Sequence, residues 1–146
     1  MRLNMDCVRD ILLCIEENTG LRKLCFFIDY GLTDDTQWTG EPTKPPDYQE
    51  ALLQKYDNDT LIYHVHYCLD ADLADARDER NEYYKIWICD LTVKGHELLE
   101  KIRTDNQWNA VKKGLSAVRD YSLSAVSAVA EGVTSAAISA YFSGKT

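Results

Sequence analysis

Histidine and cysteine are the side chains best able to hold a metal or attack a substrate, and the 146-residue chain has three of one and five of the other. His64 and His66 stand two apart in a stretch of helical spacing, so their rings point about 200° from each other and cannot share a metal. His64 and His96 both fall on the flank of their helices, where hydrogen bonding near a hairpin is the expected role. Cys7, Cys14, Cys25, Cys68 and Cys89 form no C-x-x-C pair, their number is odd, and most lie inside apolar runs. They read as small buried hydrophobes in a reducing compartment, not as a disulfide frame or a zinc site. No Gly-rich phosphate loop, His-Glu zinc motif or G-x-S-x-G elbow is present. The expectation is a non-enzymatic protein with no catalytic residue, no metal site and no cofactor.

The chemistry left is recognition. Sixteen basic and twenty-four acidic side chains give a formal charge of −8, the reverse of the balance that suits a nucleic-acid wrapper. The excess is uneven: residues 1–105 carry 12 basic and 22 acidic groups, and residues 106–146 carry 4 and 2. Rotating residues 58–70 by 100° per step sends Leu61, Val65 and Cys68 inward and leaves Asn58, Thr60, Tyr63, His66 and Tyr67 facing outward with Asp59 and Asp70. Clustered tyrosines suit a protein interface. Only Asn58 belongs to the residue types that read base edges, and the two carboxylates would repel phosphates. The charged stretch 75–82 supplies Arg77 and Arg80 as phosphate contacts, inside a locally negative sum. DNA binding therefore requires other basic groups, Arg2, Arg9, Lys112, Lys113 and Arg119, to gather in space.

These residues must be positioned by a mainly helical chain. Val8, Ile11, Leu12 and Ile15 share one helical face, with Asn4 as N-cap and Asn18-Thr19-Gly20 as a stop in which Gly20 is free to take positive φ. Leu24–Ile28 is a short buried strand, and 31–46 a long loop. Asp47 with Glu50, after Pro45-Pro46, resembles a capping box that opens a helix to about Tyr56. A second cap in 57–59 opens a helix with the apolar stripe Leu61, Ile62, Val65, Cys68 and Leu69. Two short helices across a tight turn outline a helix-turn-helix. Strands at 71–76 and 83–91 around a charged hairpin form a wing. Thr92 caps the next helix, with Gly95, Leu98, Leu99 and Ile102 on one face and Gly95 admitting a close backbone. Trp108, Val111, Leu115 and Val118 continue helical spacing.

From Leu123 to Phe142 the composition turns to Ala, Ser and Val, with Glu131 the only charge. Leu123, Val126, Ala130, Val133, Ala137 and Ala140 form a seam of mostly small residues, suited to close helix packing and self-association. The length would cross a bilayer core, but the serines and Glu131 make membrane contact the less favoured reading. Residues 1–113 are the expected domain, and 114–146 a helical appendage. The first six residues lack a signal peptide's layout, so the expected location is cytoplasmic.

Several phrases resemble known proteins. Leu91-Thr92-x-x-Gly95-His96-x-Leu98-Leu99 is similar to the strand-to-helix exit of many winged-helix regulators. Tyr63-His64-Val65 through Leu73 resembles the end of their second helix. Three phrases are narrower: Leu3-Asn4-Met5-Asp6-x-Val8-Arg9-x-Ile11-Leu12, Leu91-Thr92-x-x-Gly95-His96, and Ile102-Arg103-x-Asp105-x-x-Trp108-x-x-Val111-Lys112. Together, over roughly residues 3–113, they resemble a family of short bacterial and prophage proteins of unknown function with a winged-helix-like fold. Where those proteins read Ala-Gly-Leu-Ile, this chain reads Ala71-Asp72-Leu73-Ala74, which places Asp where a left-handed turn is expected. The resemblance implies an α+β, mainly helical winged helix-turn-helix with a small antiparallel sheet and C-terminal helices. The functional expectation is a prophage-type DNA-binding regulator. The alternative is an acidic winged-helix module that binds a host or phage protein, with a variant in which its carboxylates imitate nucleic-acid phosphates.

Overall fold

A computed structural model describes residues 1–33, 44–76 and 84–144. The chain divides into two compact units, Met1–Gly95 and His96–Thr146. The division falls earlier than the boundary at 113 expected from composition, because the helix containing Lys113 pairs with the Ala/Ser-rich helix after it.

In the first unit, α1 (Met5–Asn18) is capped by Asn4, whose side chain accepts from the Cys7 amide at 3.2 Å. Its stop differs from expectation. Thr19 is the C-cap in extended geometry and bonds back to Ile15 O, while Gly20 makes an isolated bridge to Lys23 without needing positive φ. Strand β1 (Cys25–Ile28) and a single helical turn, α2 (Tyr30–Thr33), follow. Helix α3 (Asp47–Leu53) is shorter than its sequence pattern suggests. Its N-cap is Pro46, with no side-chain cap bond, so the Asp47/Glu50 box does not form. Helix α4 (Asn58–Asp70) is capped by Asp57, which accepts from Thr60 N at 2.8 Å.

Strands β2 (Ala74–Ala76) and β3 (Lys85–Leu91) complete a three-stranded antiparallel sheet of order β1-β3-β2. Asp75 pairs with Asp90 and Ala76 with Ile88, leaving Cys89 as the extra residue of a bulge. That residue reverses the alternation: Ile86 and Ile88 are buried, yet so is Leu91 while Asp90 is exposed. Of the expected hairpin's arms, the second is present as β3, while the first is strand only over Ala74–Ala76 because 71–73 form the turn out of α4; Arg77 and Arg80 lie outside the described residues. Val8, Ile11, Leu12 and Ile15 of α1, Phe27 of β1, Leu61 and Val65 of α4 and Ile88 of β3 are fully buried and form the core.

Helix α5 (Val93–Ile102) begins where Thr92 Oγ1 accepts from Gly95 N at 2.9 Å and donates to Asp72 O at 2.6 Å. Asp72 has φ 61°, the left-handed geometry that its place after α4 requires. A Cβ on Gly95 would stand 2.0 Å from Leu73 O, so the close approach expected there is to the turn before β2. In the second unit, α6 (Asp105–Val118) carries a full capping box between Thr104 and Gln107. The T-x-x-Q signature for it stands in the sequence. Arg119, at φ 56°, turns the chain into α7 (Leu123–Ser143), which Ser122 caps. Val126 and Ala130 of α7 are fully buried, and Gly114 of α6 leaves room for Val129, whose Cγ1 would lie 2.5 Å from an added Cβ. Lys101 and Glu131 form an ion pair in this unit.

Candidate interaction surface

The candidate surface is the outer side of α4, and it exists because the inner side is fully committed. Leu61, Val65, Cys68 and His64 are all fully buried. His64 departs from its expected flank position. Positions 61, 64, 65 and 68 form one i, i+3, i+4, i+7 stripe, so the signal for its burial is visible in the spacing. Its Nε2 accepts from the Asn4 amide at 2.8 Å, and its Nδ1 faces Thr60 O at 2.7 Å. A backbone N–H can only donate, so the ring is assigned as the neutral Nδ1–H tautomer. In that form it joins the start of α1 to the first turns of α4, and it is structural.

On the outer side Asp59, Tyr63, His66 and Asp70 are exposed, whereas Asn58, Thr60 and Tyr67 are half-buried. Tyr63 is 45% exposed, and its ring meets that of His64 edge-on at 5.2 Å. Partial burial raises the Tyr67 phenol above its ordinary value. Hydrogen bonds from Thr60 hold the Asp57 carboxyl below its ordinary value, which keeps negative charge at the start of this face. Asn58, the one side chain suited to reading a base, is already engaged. Its Oδ1 accepts from Tyr30 N at 2.8 Å and its Nδ2 donates to Asp29 Oδ1 at 3.0 Å, tying α2 to α4.

The proposed basic groups are divided. Arg2 is exposed and Arg9 buried, both in the first unit, so Arg9 is not available to a phosphate. In the second unit Lys113 and Arg119 are exposed, and Lys112 lies over the Trp108 ring at 5.8 Å. The α7 seam is also divided. Val126 and Ala130 are buried within the chain, Leu123 and Val133 are half-buried, and Ala137 and Ala140 are exposed. The larger apolar exposure lies beside them, at Ile138, Tyr141 and Phe142. Helix α7 is long and apolar enough to cross a membrane, by length and composition only, with mean hydropathy 1.3.

Cys7, Cys14, Cys25 and Cys68 are buried free thiols. Burial pushes Cys7, Cys14 and Cys25 up to about 12, and Cys68 also rises. Such thiols are poor nucleophiles. Among the described residues, no three His, Cys, Asp or Glu side chains are grouped to hold a metal ion.

A family model described as "Hypothetical protein (DUF2513)" matches residues 2–120, and the chain belongs to that family. The match ends within the turn before α7. A curated relative from Haemophilus influenzae, described as "Uncharacterized protein", is 33% identical over 138 residues, covering 92% of this chain and 97% of its own. No solved structure matches the chain.

Proposed function

We propose that this protein is a non-enzymatic winged-helix module that binds another protein through the outer face of α4. The winged-helix reading is supported by the order α1-β1-α3-α4-β2-β3, interrupted only by the single turn α2 after β1, with the last strand central. The observation that carries the choice of partner is the composition of the α4 face. Tyr63 and His66 are exposed between Asp59 and Asp70, with Tyr67 half-exposed beside them. Aromatic side chains offer large contact area at small entropic cost, while carboxylates at both ends oppose a polyphosphate.

The second reading, a regulator that binds duplex DNA, is favoured by the helix-turn-helix order of α3 and α4 ahead of a β-hairpin. Two experiments separate the readings. In a duplex titration at about 50 mM salt, a DNA regulator binds with affinity that falls steeply as salt rises; the protein-binding reading expects no such binding. In affinity capture from the source cells, it expects a specific partner that Tyr63→Ala/His66→Ala loses while the variant keeps its native circular dichroism. Steep salt-dependent duplex binding, with no partner sensitive to those substitutions, would move the assignment to DNA.

A further inference from the structure

Helix α7 is 21 residues long, which at 1.5 Å per residue gives about 31 Å, the thickness of a bilayer's hydrocarbon core. A helix this apolar usually owes its composition to a place in a soluble core, or to service as a signal sequence near the N-terminus. Neither applies. Only 11% of its 18-residue apolar window is buried, and 122 residues precede it. Val126 and Ala130 are buried within the second unit, whereas Ile138 and Phe142 are 53% and 63% exposed. Ile138 and Phe142 stand seven and eleven residues after Glu131, on the same side as its carboxylate. Apolar groups therefore occupy both sides of the helix. A helix lying on a membrane surface needs one strongly polar face; α7 suits passage through the bilayer instead.

Hydroxyls and Glu131 oppose a lipid setting, and the structure shows how each is handled. Thr134 Oγ1 donates to Ala130 O at 2.9 Å, the bond that satisfies a hydroxyl inside a helix without water. Ser127, Ser135 and Ser139 have a carbonyl of α7 one turn behind them in the same way. Glu131 is the only charge between Leu123 and Ser143, and Lys101 of α5 pairs with it. That pair favours the docked position of α7 and is the barrier that insertion must overcome.

The two ends of α7 carry the residues that anchor a span. Tyr121 just before the helix, and Tyr141 and Phe142 at its far end, are each more than half exposed, one group for each aromatic belt of a bilayer. Lys112, Lys113 and Arg119 precede the helix against the single carboxylate of Asp120, a local positive surplus in a chain of net charge −8. That sign complements anionic lipid headgroups and marks this end as the one that does not cross.

We propose that α7 is a membrane-inserting helix. In water it rests on α6; at an anionic bilayer it leaves α6, spans the hydrocarbon core and tethers the rest of the chain to the membrane surface. The contact it gives up is built of small residues, with Val129 against Gly114 and Val126 and Ala130 buried beside it.

The test mixes the full chain with vesicles of phosphatidylcholine containing about a third phosphatidylglycerol and floats them through a density gradient. Wild type is expected to rise with the vesicles and to stay with them in about 1 M salt, which releases proteins held by charge alone. Ile138→Glu/Phe142→Glu, at two exposed positions, is expected to float at least about tenfold less with unchanged circular dichroism. Glu131→Leu is expected to float more than wild type. Wild type that stays in the aqueous fractions overturns the proposal, as does flotation that high salt abolishes or that Ile138→Glu/Phe142→Glu leaves unchanged. If that variant does not fold, Glu131→Leu decides: flotation above wild type supports insertion, and flotation equal or lower overturns it. Light scattering without vesicles identifies the other occupant. Twice the monomer mass, lost in Ile138→Glu/Phe142→Glu and accompanied by no flotation, overturns insertion and assigns the helix to a second copy.

Discussion

Replacing Gly95 by alanine adds one methyl group where the structure has no space for it. The new Cβ would lie 2.0 Å from Leu73 O, more than 1 Å inside the ~3.3 Å at which carbon and carbonyl oxygen normally meet. The carbonyl cannot easily retreat. It accepts from Thr92 N at 3.1 Å, and the Leu73 amide is itself bonded to Cys68 O at 2.8 Å. Relief must separate the start of α5 from the turn after α4. Overpacking of this kind costs ~1–3 kcal/mol, and loss of the Thr92 bond adds ~1 kcal/mol. Better helix propensity returns ~1 kcal/mol. With backbone atoms on both sides of the clash, the net loss expected is about 2–3 kcal/mol, a fall of roughly 1–2 M in the urea midpoint. Gly132→Ala is the control, since an added Cβ there meets nothing within 4 Å and should stabilise by ~1 kcal/mol. Urea unfolding followed by circular dichroism compares the three proteins. A Gly95→Ala midpoint at or above wild type would refute the packing argument.

Asp72→Gly should stabilise by ~1 kcal/mol, because φ 61° costs a residue with a Cβ more than it costs glycine; a lower melting temperature would show that the Asp side chain contributes something the backbone geometry does not reveal. His64→Ala should destabilise by ~2–4 kcal/mol through a cavity and an unsatisfied Asn4 amide, with His64→Gln recovering part of the loss; equal stability of wild type and His64→Ala would remove its structural role. Stability should fall at alkaline pH. The folded thiols of Cys7, Cys14 and Cys25 lie near 12 against an ordinary 9.0, so the unfolded chain sheds its protons first. The stabilisation is complete below pH 9 and is lost as the pH rises towards 12. Tyr48, raised by burial from 10.0 to about 12, adds to the decline above pH 10. Urea midpoints at pH 7.5 and 10 measure the effect, and identical midpoints would contradict it.

Local signals in the sequence carried much of the fold. The spacing of Val8, Ile11, Leu12 and Ile15 and the caps at Asn4 and Asp57 locate α1 and α4, because helix period and capping depend only on neighbours in the chain. Departures arose where a distant group intervened. The Asp47/Glu50 phrase suggests a cap, but Pro46 takes that position, and Tyr48 and Gln49 of α3 turn to the sheet. Arg9 and Asn58 look available by residue type, yet one is buried and the other binds α2.

By itself, the sequence determined a helical protein with an acidic surplus, an aromatic outer face on α4 and small residues where backbones must approach. Each of these follows from composition or from a period a few residues long. Only the tertiary structure decided that His64 joins α1 to α4, that the bulge at Cys89 reverses which side of β3 is buried, and that Tyr48 and Gln49 close the edge of β1. Those outcomes depend on groups brought together from positions as far apart as Asn4 and His64. A hydrogen bond across such a separation leaves no periodic trace in the chain.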